Sequence, residues 1–178
     1  MQHKCKVTVL DKKVFVDYQE KYLADSRSGA CPFYNIGDEF VFERYAINDT
    51  FWRMGSGTQC AEAWDCISRY IYTALQGGSI MRGWTNDERI MIACCNDGTR
   101  PVIFKIERID YKAVQFDRTP TSTQKAEIIE KVKFLGKVKE AGFHKDGFLE
   151  VYVEEDIPDK TLKAIIESCD GVSVSCID

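Results

Sequence analysis

Two apolar runs joined by a short turn signal constrain this chain more than anything else in it. Ile90 to Cys95 is apolar at consecutive positions, Asn96-Asp97-Gly98-Thr99 is turn chemistry, and Val102 to Ile109 alternates apolar with polar side chains. A short run that is apolar on both faces reads as a strand covered on both sides, and an alternating run as a strand with one face in water. Asp-Gly between two such runs closes a hairpin. The pattern predicts an antiparallel hairpin whose first strand is central in its sheet.

Around that hairpin the other elements follow from periodicity. Cys5, Val7 and Val9 alternate with Lys6 and Thr8, which predicts a strand over about residues 4–10. Tyr18, Tyr22 and Leu23 recur at helical spacing between Val16 and Ala24, and Phe40-Val41-Phe42 after the Gly37-Asp38 turn reads as a short strand. The clearest helix runs from Cys60 to Gln76, with Trp64, Ile67, Ile71 and Leu75 as its apolar stripe. Thr58 is its candidate N-cap, Glu62 suits its first turn, and Gly77-Gly78 supplies the stop.

Charge usage changes near Arg118. Residues 1–118 hold 16 basic and 16 acidic side chains, residues 119–178 hold 8 and 12, and every arginine lies in the first part. Thr119-Pro120-Thr121-Ser122-Thr123 between them is linker or helix-approach chemistry, which places a domain boundary there: 1–118 and 119–178. In the second part, Ile128, Ile129, Val132, Leu135 and Val138 form a helical face, although Val132 and Phe134 also alternate as in a strand. Phe148 to Val153 reads as a strand, and Leu162, Ile165, Ile166 and Cys169 as a helix capped by Asp156 with Pro158 in its first turn. Val172 and Val174 open a last strand. The expected fold class is α+β: a small mixed or antiparallel sheet with two helices, followed by an α-β-α-β extension. A strand-helix-strand unit of this length implies parallel pairing, and two such strands are too few to stand alone. They are expected to join the first domain's sheet or to complete one across a homodimer.

Composition excludes several roles. The start of the chain runs straight into a strand pattern with no apolar signal core, and no window approaches a membrane span, so the expected location is the cytoplasm, with no membrane partner. The net charge of -4 argues against a phosphate-binding surface, hence no nucleic acid. Eight cysteines in 178 residues fall below the density of disulfide-stapled scaffolds, so they are expected to be thiols.

Lys4-Cys5-Lys6-Val7, Cys31-Pro32 with Gly37-Asp38-Glu39-Phe40, the Cys60 to Trp64 helix start and, above all, Ala93-Cys94-Cys95-Asn96-Asp97-Gly98-Thr99-Arg100-Pro101-Val102-Ile103-Phe104-Lys105-Ile106-Glu107 form one set of marks. In these the chain resembles a family of small, single-domain bacterial and archaeal proteins of unknown function. The resemblance covers about residues 3–109, where such proteins usually stop. This chain adds about seventy residues and has one tryptophan, Trp64, where the family tends to show two. The resemblance implies domain limits and no activity.

The cysteines are the one unusual usage that could carry chemistry. No C-x-x-C pair exists, Cys60 and Cys66 fall on different faces of their helix, and Cys94 and Cys95 point oppositely in a strand, so any site must be assembled in three dimensions. The candidate metal ligands are Cys5, Cys31, Cys60, Cys94 and Cys95, for zinc or iron, although nothing in the sequence requires a cofactor. Cys60, at a helix N-terminus, has the best case for a lowered thiol pKa, and Cys60 and Cys31 are the candidate nucleophiles. The alternative for each is simple packing, since cysteine is among the most buried residue types. Only His3 and His144 could serve as bases. Arg100, with Lys105 and Arg108, could bind an anion, though an Asp97–Arg100 contact at the hairpin tip explains the same residues. Gly77-Gly78 and Gly55-Ser56-Gly57 lack the context of a phosphate loop, and Trp52, Trp64 and Trp84 read as core.

Three readings remain open. The favoured one is an accessory or binding protein with a pocket at Cys31, Cys60, Trp64, Cys95 and Arg100 for a small molecule or protein partner. The others are a thiol-based redox or metal-binding protein, and a small cysteine-dependent enzyme with its pocket between the domains.

Overall fold

The structure is a computed structural model that describes residues 1–45 and 60–178; Trp52, Gly55, Gly57 and Thr58 lie outside the described residues. Among these the fold is α+β, with four helices and a seven-stranded antiparallel sheet. The chain divides into two compact units, His3–Ile109 and Asp110–Asp178 with Met1–Gln2.

In the first unit, β1 (Gln2–Lys12), α1 (Val16–Tyr22), β2 (Glu39–Glu43), α2 (Ala61–Leu75), β3 (Ile90–Cys94) and the first half of β4 (Val102–Phe116) follow in order. β1 pairs antiparallel with β2, Cys5 opposite Phe42 and Val7 opposite Phe40. β3 and β4 form the expected hairpin, from Ile90 opposite Glu107 to Cys94 opposite Ile103. The expectation that β3 is central fails: among the described strands it pairs with β4 alone, while β4 has β1 as a further neighbour. Met91 is buried and Ile92 exposed, so the continuous apolar run marks one covered face and one left in water.

The core of this unit lies between the strands and α2. Cys5, Val7 and Val9 from β1, Phe42 from β2, and Val102, Phe104 and Ile106 from β4 face Ala63, Ile67, Ile71 and Ala74 of α2. Each fully buried aliphatic or aromatic side chain here contributes about 1.5–3 kcal/mol relative to exposure. The N-cap of α2 is Cys60. Its end is set by Gly77, at φ +73°, and by Arg108, whose Nη1 donates to the carbonyls of Gly77 and Gly78 at 2.9 and 2.7 Å. A Cβ at Gly77 would also sit 2.3 Å from Nε2 of His3. Gly77→Ala is therefore expected to lower stability by about 2 kcal/mol, from left-handed strain plus displacement of His3; urea unfolding would measure it.

The first helix corrects a simple periodicity argument. Tyr18 and Tyr22, at helical spacing, are exposed, and the buried residue of α1 is Gln19. Its amide exchanges two 3.0 Å hydrogen bonds with Gly29, Nε2 donating to the carbonyl and Oε1 accepting the N–H. A satisfied amide at a helix–loop contact decides which face turns inward.

The second unit begins within β4, at Asp110 and not at the Pro, Ser and Thr cluster, because the strand continues unbroken through Phe116 with Tyr111, Ala113 and Val114 buried. The cluster instead starts a helix: Thr121 caps α3 (Ser122–Lys133) in a reciprocal capping box with Gln124. Then come β5 (Val138–Phe143), β6 (Leu149–Val153), α4 (Asp159–Glu167) and β7 (Val174–Ile177). The extension thus has one strand more than the expected α-β-α-β order. Val138 belongs to that strand and not to the helical face, since α3 ends before Phe134 and Val138 pairs with Val153.

The expected parallel pairing across α4 is also absent. β6 and β7 each pair antiparallel with β4, which lies between them, so the order in this unit is β7-β4-β6-β5. That is a β-α-β-β-α-β arrangement, a split unit of the ferredoxin-like kind, completed by the part of β4 that runs past Ile109, where the alternating pattern ends. Its core joins Val114, Ile128, Val132, Leu149, Val151, Leu162 and Ile166. Asp156 does not cap α4, whose N-cap is Pro158; Asp156 and Asp159 both bind the ammonium of Lys112, with Asp156 at 3.1 Å. No helix among the described residues is long and apolar enough to cross a membrane.

Candidate functional site

The first unit contains a small cavity where three separate parts of the chain meet. The loop after α1 supplies Cys31, Phe33 and Tyr34, the start of α2 supplies Cys60, Glu62 and Ala63, and the β3–β4 hairpin supplies Cys95, Asp97, Arg100 and Val102. Its volume is about 50 Å³. A buried water needs roughly 10–15 Å³ on this measure, so there is room for a few waters or a ligand of a few heavy atoms.

Local chemistry explains why each group stays in place. Lys12, the last residue of β1, donates from Nζ to the carbonyls of Cys31 and Tyr34 at 3.0 and 2.7 Å, which pins the loop against the sheet. Tyr34 is 4% exposed, and its ring meets Phe104 edge-on at 5.4 Å. Its hydroxyl accepts the Cys60 N–H at 3.1 Å, satisfying a backbone donor at the start of α2. The hydroxyl proton has no acceptor among the described residues. Burial, above all, and the nearby sulfurs of Cys60, Cys31 and Cys95 push the phenol up, against the Cys60 N–H, so Tyr34 remains a protonated donor near neutral pH.

The hairpin tip is built around Asp97. Its Oδ1 accepts the N–H of Thr99 at 2.9 Å and of Arg100 at 3.1 Å, while Oδ2 accepts from Arg100 Nε at 2.9 Å. Burial raises this carboxyl, but the Thr99 and Arg100 donors outweigh it and hold the group below the ordinary carboxylate value. A depressed folded-state value stabilises the fold above the unfolded carboxylate pKa, and that contribution disappears as pH falls through the folded value. Asp97→Asn is accordingly expected to flatten the acid side of the stability-versus-pH curve, measured by urea unfolding between neutral and acidic pH.

Arg100 keeps its two terminal nitrogens unengaged among the described residues. The other anion-site candidates are occupied elsewhere: Lys105 pairs with Glu107 at 2.8 Å, and Arg108 caps α2. Cys95 sits just past β3, where its N–H donates to the Val102 carbonyl at 3.1 Å and its sulfur accepts the Val102 N–H at 3.3 Å.

The structure therefore brings Cys31, Cys60, Cys95 and Arg100 to one cavity. Trp64 is not part of the lining; it packs on Phe42 with ring centres 5.7 Å apart, one helical turn along α2 from Cys60. The five cysteines considered as metal ligands do not assemble. Cys5 is fully buried beneath the sheet, where burial drives its thiol pKa well up, and Cys94 is exposed because neighbouring strand residues point oppositely. Among the described residues no three of these sulfurs lie within 4.8 Å of one another. All eight cysteines are free thiols. Neither His3 nor His144 lines the cavity.

Tyr34 and Glu62 line the cavity without having stood among the expected pocket residues, and Cys66, on the other face of α2 from Cys60, makes a specific contact of its own. The Cys66 thiol donates to Asn96 Oδ1 at 2.9 Å, tying α2 to the hairpin turn. Tyr34 lies two residues past Pro32, and only the fold shows that its hydroxyl meets the helix start. No family model, curated protein or solved structure matches the chain.

Proposed function

We propose that the chain is a binding protein whose first unit holds a ligand of a few heavy atoms in the Cys31–Cys60–Cys95 cavity. The observation that supports this reading is the meeting of three thiols from three segments beside one buried phenol and one guanidinium. Pockets for drug-sized molecules run to about 300–1,000 Å³, so a cavity of about 50 Å³ selects for size before anything else. Thiols give it affinity for soft or thiol-reactive groups, and the Tyr34 O–H with the Arg100 nitrogens give it donors for a ligand oxygen.

Phenylarsine oxide, which joins two thiols through arsenic with loss of one water, tests whether these sulfurs can reach a common ligand. One equivalent is expected to protect two of Cys31, Cys60 and Cys95 from iodoacetamide while Cys94 and Cys176, which are exposed, remain reactive. Full alkylation of all three cavity cysteines in the presence of the arsenical would overturn the reading.

A further inference from the structure

Resting on that reading, we infer that the ligand is a hydroperoxide, hydrogen peroxide being the smallest, and that the cavity reduces it by oxidising Cys95 together with Cys60 or Cys31. Size, nucleophile and donors all point the same way. A molecule with two oxygens fits where a few waters fit, and a bulky oxidant does not. The Cys95 sulfur is held at the cavity wall by the Val102 N–H, and the residue is only half-buried, so peroxide can reach it.

The donors line the same cavity as the Cys95 sulfur. Cleavage of an O–O bond leaves negative charge on the departing oxygen, and that charge is stabilised by donors fixed in advance. Tyr34 supplies an O–H without an acceptor among the described residues, and Arg100 supplies two terminal nitrogens in the same condition, its Nε being fixed by Asp97. Two further thiols line the same cavity.

The step balances as follows. The thiolate of Cys95, its proton released to solvent, attacks one oxygen of hydrogen peroxide, an S–O bond forms as the O–O bond breaks, and the sulfur loses two electrons to become a sulfenic acid. The departing oxygen takes a proton from Tyr34, which regains one from solvent, and leaves as water. The thiol of Cys60 or Cys31 then attacks the sulfenic sulfur, its proton leaving with the hydroxyl as a second water. Two thiols and one peroxide become one disulfide and two waters.

The test uses the full reduced chain exposed to hydrogen peroxide, quenched with N-ethylmaleimide and mapped by mass spectrometry. The expected product has lost two hydrogens and carries a disulfide from Cys95 to Cys60 or Cys31. Cys95 is expected to be oxidised at least about tenfold faster than the exposed Cys94 in the same molecule, as site-selective oxidation requires. Tyr34→Phe and Arg100→Gln should each slow it about tenfold, with Arg100→Lys recovering part of the loss. Oxidation of Cys95 no faster than Cys94, or cavity disulfide formation unchanged in Cys95→Ser, would sink the inference. If phenylarsine oxide still protects two cavity thiols in that case, the small-ligand reading stands without the peroxide chemistry; if it protects none, both fall.

Discussion

Phe104→Ala is expected to lower the unfolding free energy by about 3–5 kcal/mol and to disturb the cavity at the same time. Phe104 is 1% exposed in the middle of the first unit's core, and deleting a buried phenyl ring removes its transfer free energy and leaves a void that packed neighbours fill only partly. The ring also supports the edge-on contact that holds Tyr34, and Tyr34 in turn accepts the Cys60 N–H at the start of α2. Urea unfolding followed by circular dichroism gives the first quantity. The second is read as faster iodoacetamide labelling of Cys31 and Cys60 in the folded variant. A loss below about 1 kcal/mol would show that the surroundings collapse onto the vacated space, contrary to the close packing described here.

The second large effect is expected in the other unit. Replacing both Asp156 and Asp159 by alanine should cost about 3 kcal/mol, because it strands the ammonium of Lys112, whose side chain is 6% exposed, without a countercharge. Burial lowers the pKa of this lysine, but the hydrogen bonds it donates to Asp159 and Asp156 outweigh it and hold the value above that of an ordinary lysine. A raised folded-state value means stability that is fully present below the unfolded lysine pKa and lost as pH climbs through the folded one. Removing the two carboxylates leaves burial, which lowers the folded-state value, so the double variant should lose stability as pH falls from alkaline toward neutral, a dependence that Lys112 does not impose on the native chain there. Lys112→Met, which removes the charge and keeps an apolar stem, should cost much less than the double variant. Equal losses in the two would indicate that packing, and not charge compensation, sets the energy at this position.

Several expectations could be read locally, and others could not. The Cys60–Gln76 helix and the turn at Asp97-Gly98 depend on spacing within a few residues, and the structure has α2 over Ala61–Leu75 and the hairpin in register. α1 shows the limit of that reasoning. Aromatic spacing predicts a helix there and says nothing of which face turns inward; the exchange of hydrogen bonds between Gln19 and Gly29, ten residues apart, accompanies the burial of Gln19 while Tyr18 and Tyr22 are exposed. The continuous apolar run of β3 failed to report its place in the sheet for a similar reason, since pairing partners are chosen by segments far along the chain.

The candidate site divides along the same line. Cysteine usage and the Arg100 hairpin made Cys31, Cys60, Cys95 and Arg100 worth attention, but nothing in their spacing distinguishes them from Cys5 or Cys94. Cys5 became a core group because β1 turns it inward, and Cys94 was excluded by the alternation of the strand. Tyr34 had no local signal at all.

By itself, the sequence determined the long helix of the first unit, the β3–β4 hairpin and the free state of the thiols, because backbone periodicity, turn chemistry and the density of cysteines act over short distances or on the whole composition, while β5 lacked a pattern of its own. Only the tertiary structure decided that β4 would run on to complete a second unit, and which sulfurs would share a cavity with a phenol and a guanidinium. Those outcomes depend on contacts between residues tens of positions apart, whose formation balances loop-closure entropy against burial, and no short window of sequence contains both sides of that balance.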